Sequence, residues 1–446
     1  MSSHAAAAQH PRGFPELESA LSRADTHEEV SSGDIAVGVI IGRSSEYFDF
    51  FVFGIACVLV FPALLFPFLP PLQGTLAAFG LLAAAFITRP IGTALGMAVQ
   101  RRWGRGTKLT LALFVLGSCT VGMAFMPAYA TAGKLAIVTM LALRLGQGLA
   151  LGGAWDGLPS LLAMSASPGR RGWYAMIGQL GAPLGFITAA GLFAYLHSQL
   201  TTDDFLSWGW RYPFFVAFAA NVVALFARLR LVVGQDYTRL MDESELQPVP
   251  VTEVLRHEGG HVFLGAFAAL ASFALFHLVT VFPLSWITLN AQQSINEVLI
   301  VQIFGAILAC VAVIVSGWLA DRVGRRTLLG SMAVLIGVFS LAAPWLLSGA
   351  DGGNTLFLLI GFVLLGLSYG QASGTVTSNF SALYRYTGAA LSTDLAWLIG
   401  AAFAPLVALA LSARFGVVAV SAYLLSGVIC TLLALRINRR IEQQGS

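Results

Sequence analysis

Twelve apolar segments, each about long enough to cross a bilayer, fill the chain between residues 35 and 436. A hydrocarbon core of about 30 Å needs about 20 apolar residues wound as an α-helix to span it. In lipid, the backbone N–H and C=O groups must be satisfied inside such helices, so the pattern predicts an all-α membrane protein. The predicted spans are 35–62, 73–98, 108–127, 134–160, 173–197, 211–233, 261–284, 294–320, 327–349, 353–381, 386–412 and 415–436.

The composition excludes several other classes of protein. Hydrophobic residues make up 57% of the chain and charged residues 11%, whereas soluble domains average about 25% charged residues. The net charge of +3, without a basic tract interleaved with aromatics, argues against a nucleic-acid partner. The four cysteines lie within apolar spans at unrelated spacings, so we expect small core residues and neither a disulfide framework nor a metal site.

The distribution of Lys and Arg predicts the orientation of the chain. The predicted outer loops hold at most Lys134, Arg211 and Arg414, whereas the tails and the even-numbered loops hold most of the 25 basic residues. Positive residues accumulate on the cytoplasmic side of membrane proteins. We therefore expect both termini to face the cytoplasm, in an inner (cytoplasmic) membrane.

A long polar break divides the predicted spans six and six. The predicted units are a tail at 1–34, a bundle at 35–233, a linker at 234–260, a second bundle at 261–436 and a tail at 437–446. A short basic loop follows the second span of each half, reading RWGRG at 102–106 and DRVGRR at 321–326. Any short cytoplasmic loop can be basic, but the matching register favours two pseudo-symmetric six-helix bundles with a site between them.

Several stretches resemble one family in residue type and order. Residues 317–326 (GWLADRVGRR) fit the loop signature of the major facilitator superfamily completely. Other stretches resemble its metabolite:proton symporters: EYFDF at 46–50, RPIG at 89–92, LRLGQG at 143–148, PGRRG at 168–172, QLGAPLG at 179–185, WGWRYPF at 208–214 and RYTG at 385–388. The resemblance implies the major facilitator fold, alternating access and uptake of small organic acids or zwitterions with a proton. In that framework we assign the cytoplasmic gate to Arg105, Asp321, Arg322 and Arg325.

Two positions depart from the family pattern. Arg101 stands where the first loop usually carries an aspartate, and Ala154 follows the paired glycines where the symporters usually carry a glutamate. Because Ala154 cannot titrate, proton coupling either is lost or has moved to Asp156, Glu46 or Asp49.

Ionisable side chains inside the spans are the candidates for proton coupling. A charged group at the centre of a span costs about 3 kcal/mol on insertion scales, so it is kept mainly where it meets a cavity or a partner. Glu46 and Asp49 share a face of the first span, and adjacent carboxylates disfavour joint ionisation, which suits proton exchange. An ion pair between Arg43 and Glu46 is the alternative. Asp156 and His277 are further candidates, although a lone buried histidine is more often a satisfied core residue.

Arginines and aromatic residues are the candidates for substrate binding. Arg144, with Gln147 beside it, could hold a substrate carboxylate or pair with Asp49. Arg89, just before Pro90, could bind substrate or hold the gate, or simply extend to the membrane surface. Asp394 either lines a cavity or pairs with Arg385 or a loop, and Tyr369 and Trp397 could form a pocket wall.

These features predict a secondary active transporter rather than an enzyme, with no cofactor and no metal. We expect proton-coupled symport of a small carboxylate or zwitterion by a monomer in the lipid bilayer. The alternatives are an uncoupled facilitator or exporter, suggested by Ala154 and Arg101, and a non-transporting substrate sensor of the same fold.

Overall fold

A computed structural model describes residues 32–158, 161–162, 166–232, 246–290, 293–348, 352–372 and 380–445. Most of the predicted tail 1–34 and the first part of the predicted linker 234–260 lie outside these residues. The described residues form helices and turns and contain no strand. The predicted all-α fold is therefore confirmed.

The first half of the chain is built from long helices joined by short ones. Its α-helices are Ser32–Leu59, Phe61–Leu65, Pro71–Ala124, Tyr129–Ala132, Lys134–Gly153, Arg171–Ile177, Gly181–Gln199, Thr202–Ser207 and Tyr212–Val232. Short 3₁₀ turns occur at Pro168–Arg170, Gly178–Leu180 and Gly209–Arg211.

The second half repeats this pattern. Its α-helices are Val251–Ala268, Leu270–Thr280, Phe282–Leu289, Ile295–Val323, Arg325–Leu346, Gly353–Tyr369, Ala382–Ala396, Ala404–Phe415 and Val418–Gly445, with a π-helical turn at Trp397–Ala402. The helix Val251–Ala268 begins inside the predicted linker, and the helix in the predicted fourth span, 134–160, ends at Gly153.

Nine helical segments within the described ranges are long and apolar enough to cross a membrane. The longest, Pro71–Ala124, has 54 residues, contains the predicted span 73–98 and ends three residues before the end of the predicted span 108–127. Gly104 interrupts it with φ 86° and ψ 169°, so it is two helices joined at a kink. The shorter apolar helix Gly353–Tyr369 lies in the predicted tenth span. A multi-pass membrane protein is confirmed, while the count of twelve spans stays a prediction.

Glycines bring two helices of the first half into backbone contact. A Cβ atom on Gly92 would lie 2.1 Å from the backbone oxygen of Leu149. On Gly148 and Gly152 a Cβ would lie 2.0 Å from the backbone oxygens of Ala85 and Arg89. Small residues permit this approach between membrane helices. The contact fixes the position of Lys134–Gly153 against Pro71–Ala124, and with it the position of Arg144 relative to Arg89.

The two basic loops share a backbone conformation. Gly104 has φ 86° and Gly324 has φ 85°, in the left-handed region that favours glycine. The sequence repeat at 102–106 and 321–326 thus corresponds to a repeated turn.

Candidate functional site

A carboxylate is enclosed by neutral hydrogen-bond donors inside the first half. Asp49, on the helix Ser32–Leu59, is 3% exposed. Its Oδ2 accepts hydrogen bonds from Thr120 Oγ1 at 2.5 Å and from Asn221 Nδ2 at 2.9 Å. Its Oδ1 accepts from Gln147 Nε2 at 3.1 Å. Three other helices therefore converge on this one side chain.

Gln147 links this carboxylate to a buried guanidinium. Arg144 is 1% exposed, and its Nη1 donates to Gln147 Oε1 at 2.7 Å. The guanidinium also lies 4.1 Å from the centre of the Phe53 ring. Its Nε has no hydrogen-bond partner within the described part of the chain. Arg144 and Asp49 are thus joined through an amide, and the direct ion pair considered as an alternative is not observed.

An imidazole of the second half meets this region. His277, on Leu270–Thr280, is fully buried, and neither ring nitrogen has a partner among the described residues. Its ring centre lies 5.2 Å from that of Phe50, whose ring is also 6.0 Å from the Arg144 guanidinium. The imidazole of His277 and the guanidinium of Arg144 therefore both lie beside the Phe50 ring. No described residue thus satisfies the His277 ring nitrogens, in contrast to the satisfied core histidine considered as the alternative.

The other predicted acids belong to a separate network. Glu46 accepts from Arg43 Nη1 at 2.9 Å and from Arg228 Nη1 at 2.5 Å. Arg228 also donates from Nε and Nη2 to Asp156 Oδ2, at 2.9 and 2.6 Å. The ion pair between Arg43 and Glu46 that we considered is thus present. Glu46 and Asp49 are one turn apart on a helix but bind different partners.

Arg228 is a residue that the sequence reasoning missed. Arg228 is not among the predicted site residues, yet it is 4% exposed within the helix Tyr212–Val232. Its position inside the predicted span 211–233 was the available signal. Asp156, in contrast, lies beyond the end of its helix at Gly153 and is nevertheless buried.

A buried ion pair joins the two halves. Arg89 Nε lies 2.7 Å from Asp394 Oδ1, although the residues are 305 positions apart. Thr93, one turn after Arg89, donates to Asp394 Oδ2. The Arg89 guanidinium also lies 5.8 Å from the centre of the Trp397 ring. Asp394 thus forms an ion pair, as one of its two interpretations expected, but its partner is Arg89 of the first half.

Aromatic side chains of both halves surround a recess beside this ion pair. The rings of Phe86 and Trp397 stack at 5.6 Å with an interplanar angle of 11°. The hydroxyl groups of Tyr47 and Tyr369 are hydrogen-bonded across the two halves. The recess is small, about 30 Å³, and its lining consists of Arg43, Glu46, Tyr47, Phe50, Phe86, Arg89, Leu151 and Trp397. Trp397 and Arg89 thus line a common recess, whereas Arg144 is not among its lining residues.

The second basic loop contacts the opposite half. Asp321 accepts hydrogen bonds from the backbone N–H groups of Gly172, at 2.6 Å, and Trp173, at 3.1 Å. Arg325 donates to the backbone oxygen of Arg171 at 3.3 Å. Arg322 lies 3.9 Å from the Trp318 ring on its own helix, and Arg105 lines an open cavity beside the linker residues Gln247 and Pro248. Two of the four predicted gate residues therefore join the halves directly.

The described residues hold no group of three or more His, Cys, Asp or Glu side chains placed to bind a metal ion. The chemistry available at these sites is that of ion pairs, hydrogen bonds and aromatic contacts. Such contacts can bind a small polar molecule between the two halves.

Comparison with known proteins defines the family. The chain is 35% identical to the inner membrane metabolite transport protein YhjE of Escherichia coli (strain K12), over 93% of this chain and 96% of that protein. It is 28% identical to a citrate-proton symporter of Klebsiella pneumoniae, over 93% of this chain and 94% of that protein. A solved structure of the proton:xylose symporter XylE superimposes with a TM-score of 0.69 at 17% identity, over 92% of this chain and 95% of that one. The sequence profile of the Major Facilitator Superfamily matches residues 50–394. The chain therefore belongs to the Major Facilitator Superfamily and is a multi-pass membrane transporter, not an enzyme.

Proposed function

We propose that this transporter carries a small organic carboxylate together with a proton by alternating access. The observation that carries the proposal is a set of polar atoms where the halves meet that have no hydrogen-bond partner among the residues the structure describes: Nε of Arg144 and both ring nitrogens of His277. A buried donor without an acceptor costs about 1–3 kcal/mol, and more when it is charged. A substrate carboxylate would supply acceptors to the guanidinium and to the imidazole N–H.

The proton is assigned to Asp49 because of its hydrogen bonds. Gln147 uses its amide N–H to donate to Asp49, which leaves its oxygen to accept from Arg144. Protonation of Asp49 would remove the negative charge that strengthens this hydrogen bond, and a proton on Oδ1 would place an O–H donor against the amide N–H. The amide could then rotate, which would change how Arg144 meets a substrate. Charge state at Asp49 and substrate binding at Arg144 are thereby coupled through one side chain.

Glu46 and Asp156 are less suited to exchange a proton. Both carboxylates are held by Arg228, which is buried and donates to each of them. Breaking a buried ion pair costs about 3–5 kcal/mol, so these acids serve better as fixed ties inside the first bundle. We assign proton coupling to Asp49, with His277 as the group that senses the bound substrate.

Arg89, Asp394, Tyr369 and Trp397 complete the proposed site. The ion pair and the tyrosine pair both cross between the halves and border the recess, so they would have to separate when the cavity opens. Asp321 and Arg325 would separate with them at the cytoplasmic end. We infer that residues 35–233 and 261–436 form the two bundles, in a monomer of the inner membrane with both termini in the cytoplasm.

The relatives support the chemistry of the proposal. One relative is named for citrate, a carboxylate, and for protons. Movement of one net charge across a potential of 100 mV supplies about 2.3 kcal/mol, which coupled symport can use for accumulation.

The test is uptake into proteoliposomes with an imposed pH gradient. We expect a radiolabelled carboxylate such as citrate, chosen from a thermal-shift screen of carboxylates, betaines and amino acids, to accumulate only with an inward proton gradient. Asp49→Asn should abolish accumulation, while the exposed control Asp203→Asn should not. Uptake that only equilibrates the substrate and does not respond to the gradient would instead support an uncoupled facilitator or exporter. Binding without flux would support a substrate sensor.

A further inference from the structure

The two loops that join the halves differ in one charged position. In the second loop, Asp321 lies three residues before Gly324 and accepts hydrogen bonds from the first-half helix that begins at Arg171. Three residues before Gly104, the first loop has Arg101. A guanidinium has donors and no acceptor, so it cannot bind the N–H groups at a helix start. The first loop therefore lacks the chemistry with which the second loop docks.

The second-half helix that corresponds to Arg171–Ile177 is Ala382–Ala396. The carboxylate at its start comes from the same half of the chain. Ser381, directly before the helix Ala382–Ala396, donates from its backbone N to Glu258 Oε1 at 3.2 Å and from its Oγ at 2.5 Å. Glu258 lies on Val251–Ala268, also in the second half. This arrangement satisfies the helix start but provides no tie between the halves.

A buried lysine supplies a tie at this place. Lys108, on the helix that follows Gly104, is 3% exposed. Its Nζ donates to Gln100 Oε1 at 2.6 Å, to the backbone oxygen of Trp155 and to the hydroxyl of Tyr386 at 3.1 Å. Tyr386 belongs to the second half and is 1% exposed. Three acceptors match the three N–H donors of an ammonium group.

The tyrosine hydroxyl completes the cluster. The Tyr386 hydroxyl oxygen accepts from Lys108. It also lies 3.1 Å from Gln100 Oε1 and 3.2 Å from the Trp155 backbone oxygen, and it can donate its own hydrogen to either of them. Two turns further along the same stretch of helix, Asp394 pairs with Arg89. The helix Ala382–Ala396 is thus attached to the first half at two levels.

We propose that Lys108 and Tyr386 form the lock that holds this end of the transporter closed, in place of the aspartate that the first loop lacks. They are positioning residues, because they act on the equilibrium between conformations and not on the substrate itself. The inference rests on the alternating access proposed above. The two pseudo-symmetric locks differ in chemistry. The lock at the first loop uses Lys108 and the Tyr386 hydroxyl, whereas the lock at the second loop uses Asp321 and backbone N–H groups.

The test measures the distance between the two halves at this end. Spin labels are placed on Thr107→Cys and Arg256→Cys, both exposed, in a background without the four native cysteines. Pulsed electron resonance then gives the populations of short and long distances for Tyr386→Phe and Lys108→Met. We expect a several-fold rise in the long-distance population for both variants. Tyr386→Phe removes only a hydroxyl, so it keeps the ring packing and the fold.

Matched variants separate the possible outcomes. Glu258→Gln, which alters a contact inside one half, should leave the distance populations unchanged, and Asp321→Asn should raise the long-distance population. If Asp321→Asn has this effect but Tyr386→Phe and Lys108→Met do not, the proposed lock is wrong. If no variant and no substrate changes the populations, alternating access itself is refuted. In Tyr386→Phe and Lys108→Met, the transport rate at saturating substrate should fall. The fold-change in substrate affinity should be smaller than the fold-change in the long-distance population.

Discussion

Removal of the charge at Asp394 tests whether the ion pair between the halves holds the cytoplasmic end closed. In the structure Asp394 accepts from Arg89 at 2.7 Å and also from Thr93, and its side chain is 4% exposed. Asp394→Asn keeps the shape and the acceptor oxygen but leaves the Arg89 guanidinium without its counter-charge. A hydrogen bond to a charged group contributes about 1.5–3 kcal/mol.

The magnitude follows from the surroundings of Arg89. Complete loss of a buried pair costs about 3–5 kcal/mol, but Arg89 borders the recess and retains its contact with Trp397, so we expect about 2–3 kcal/mol. Each 1.4 kcal/mol changes an equilibrium constant tenfold. If the pair forms only in the closed state, the ratio of open to closed molecules should rise about 30- to 150-fold.

The assay is alkylation of Leu151→Cys, which lines the recess, in the background without native cysteines. An impermeant maleimide applied to inside-out vesicles reacts in proportion to the fraction of molecules open to the cytoplasm. Arg89→Gln should raise the rate similarly, and the double variant should show less than the sum of the two effects. The reasoning is refuted if Asp394→Asn leaves the rate within about twofold of the unmodified protein, which is under about 0.4 kcal/mol.

Three further substitutions test the packing and the two buried networks. Gly152→Ala should lower the free energy of unfolding by about 1–3 kcal/mol, because the new Cβ would lie 2.0 Å from a backbone oxygen of the neighbouring helix. Arg228→Gln should lower stability by about 3–5 kcal/mol, because two buried carboxylates lose their shared partner. His277→Ala should weaken binding of the transported carboxylate about tenfold or more, measured by titration calorimetry, because the imidazole N–H is lost. It should also lower stability, because removal of a fully buried ring leaves a cavity.

Each of these substitutions has a control of the same type. Gly80→Ala meets nothing within 4 Å and should be neutral in thermal melts. Arg230→Gln and His257→Ala change exposed side chains and should preserve stability and affinity, respectively. Equal melting of the two glycine variants would contradict the close helix contact. Equal stability of the two arginine variants would contradict the fixed role of Arg228, and unchanged affinity in His277→Ala would remove the imidazole from the binding site.

The local pattern of residues was sufficient to predict the class of fold. A run of about 20 apolar residues is helical in lipid whatever its neighbours are, because the backbone has no other partner for its hydrogen bonds. The glycine of each basic loop is likewise a local feature, since Gly104 and Gly324 adopt positive φ at matching places. Charged residues inside spans marked Asp49, Arg144, Arg89 and Asp394 as candidates before any contact was known.

The pairing of those charges was decided only by the tertiary structure. Glu46 and Asp49 are three residues apart, yet one binds Arg228 and the other binds Thr120, Asn221 and Gln147, because the helix turns their carboxylates toward different neighbours. The partner of Asp394 is 305 residues away, and the partner of Lys108 is 278 residues away. Helical periodicity states which face a residue occupies but not which helix lies opposite. The arrangement of the two halves supplies that information, since it alone brings distant side chains within hydrogen-bonding distance.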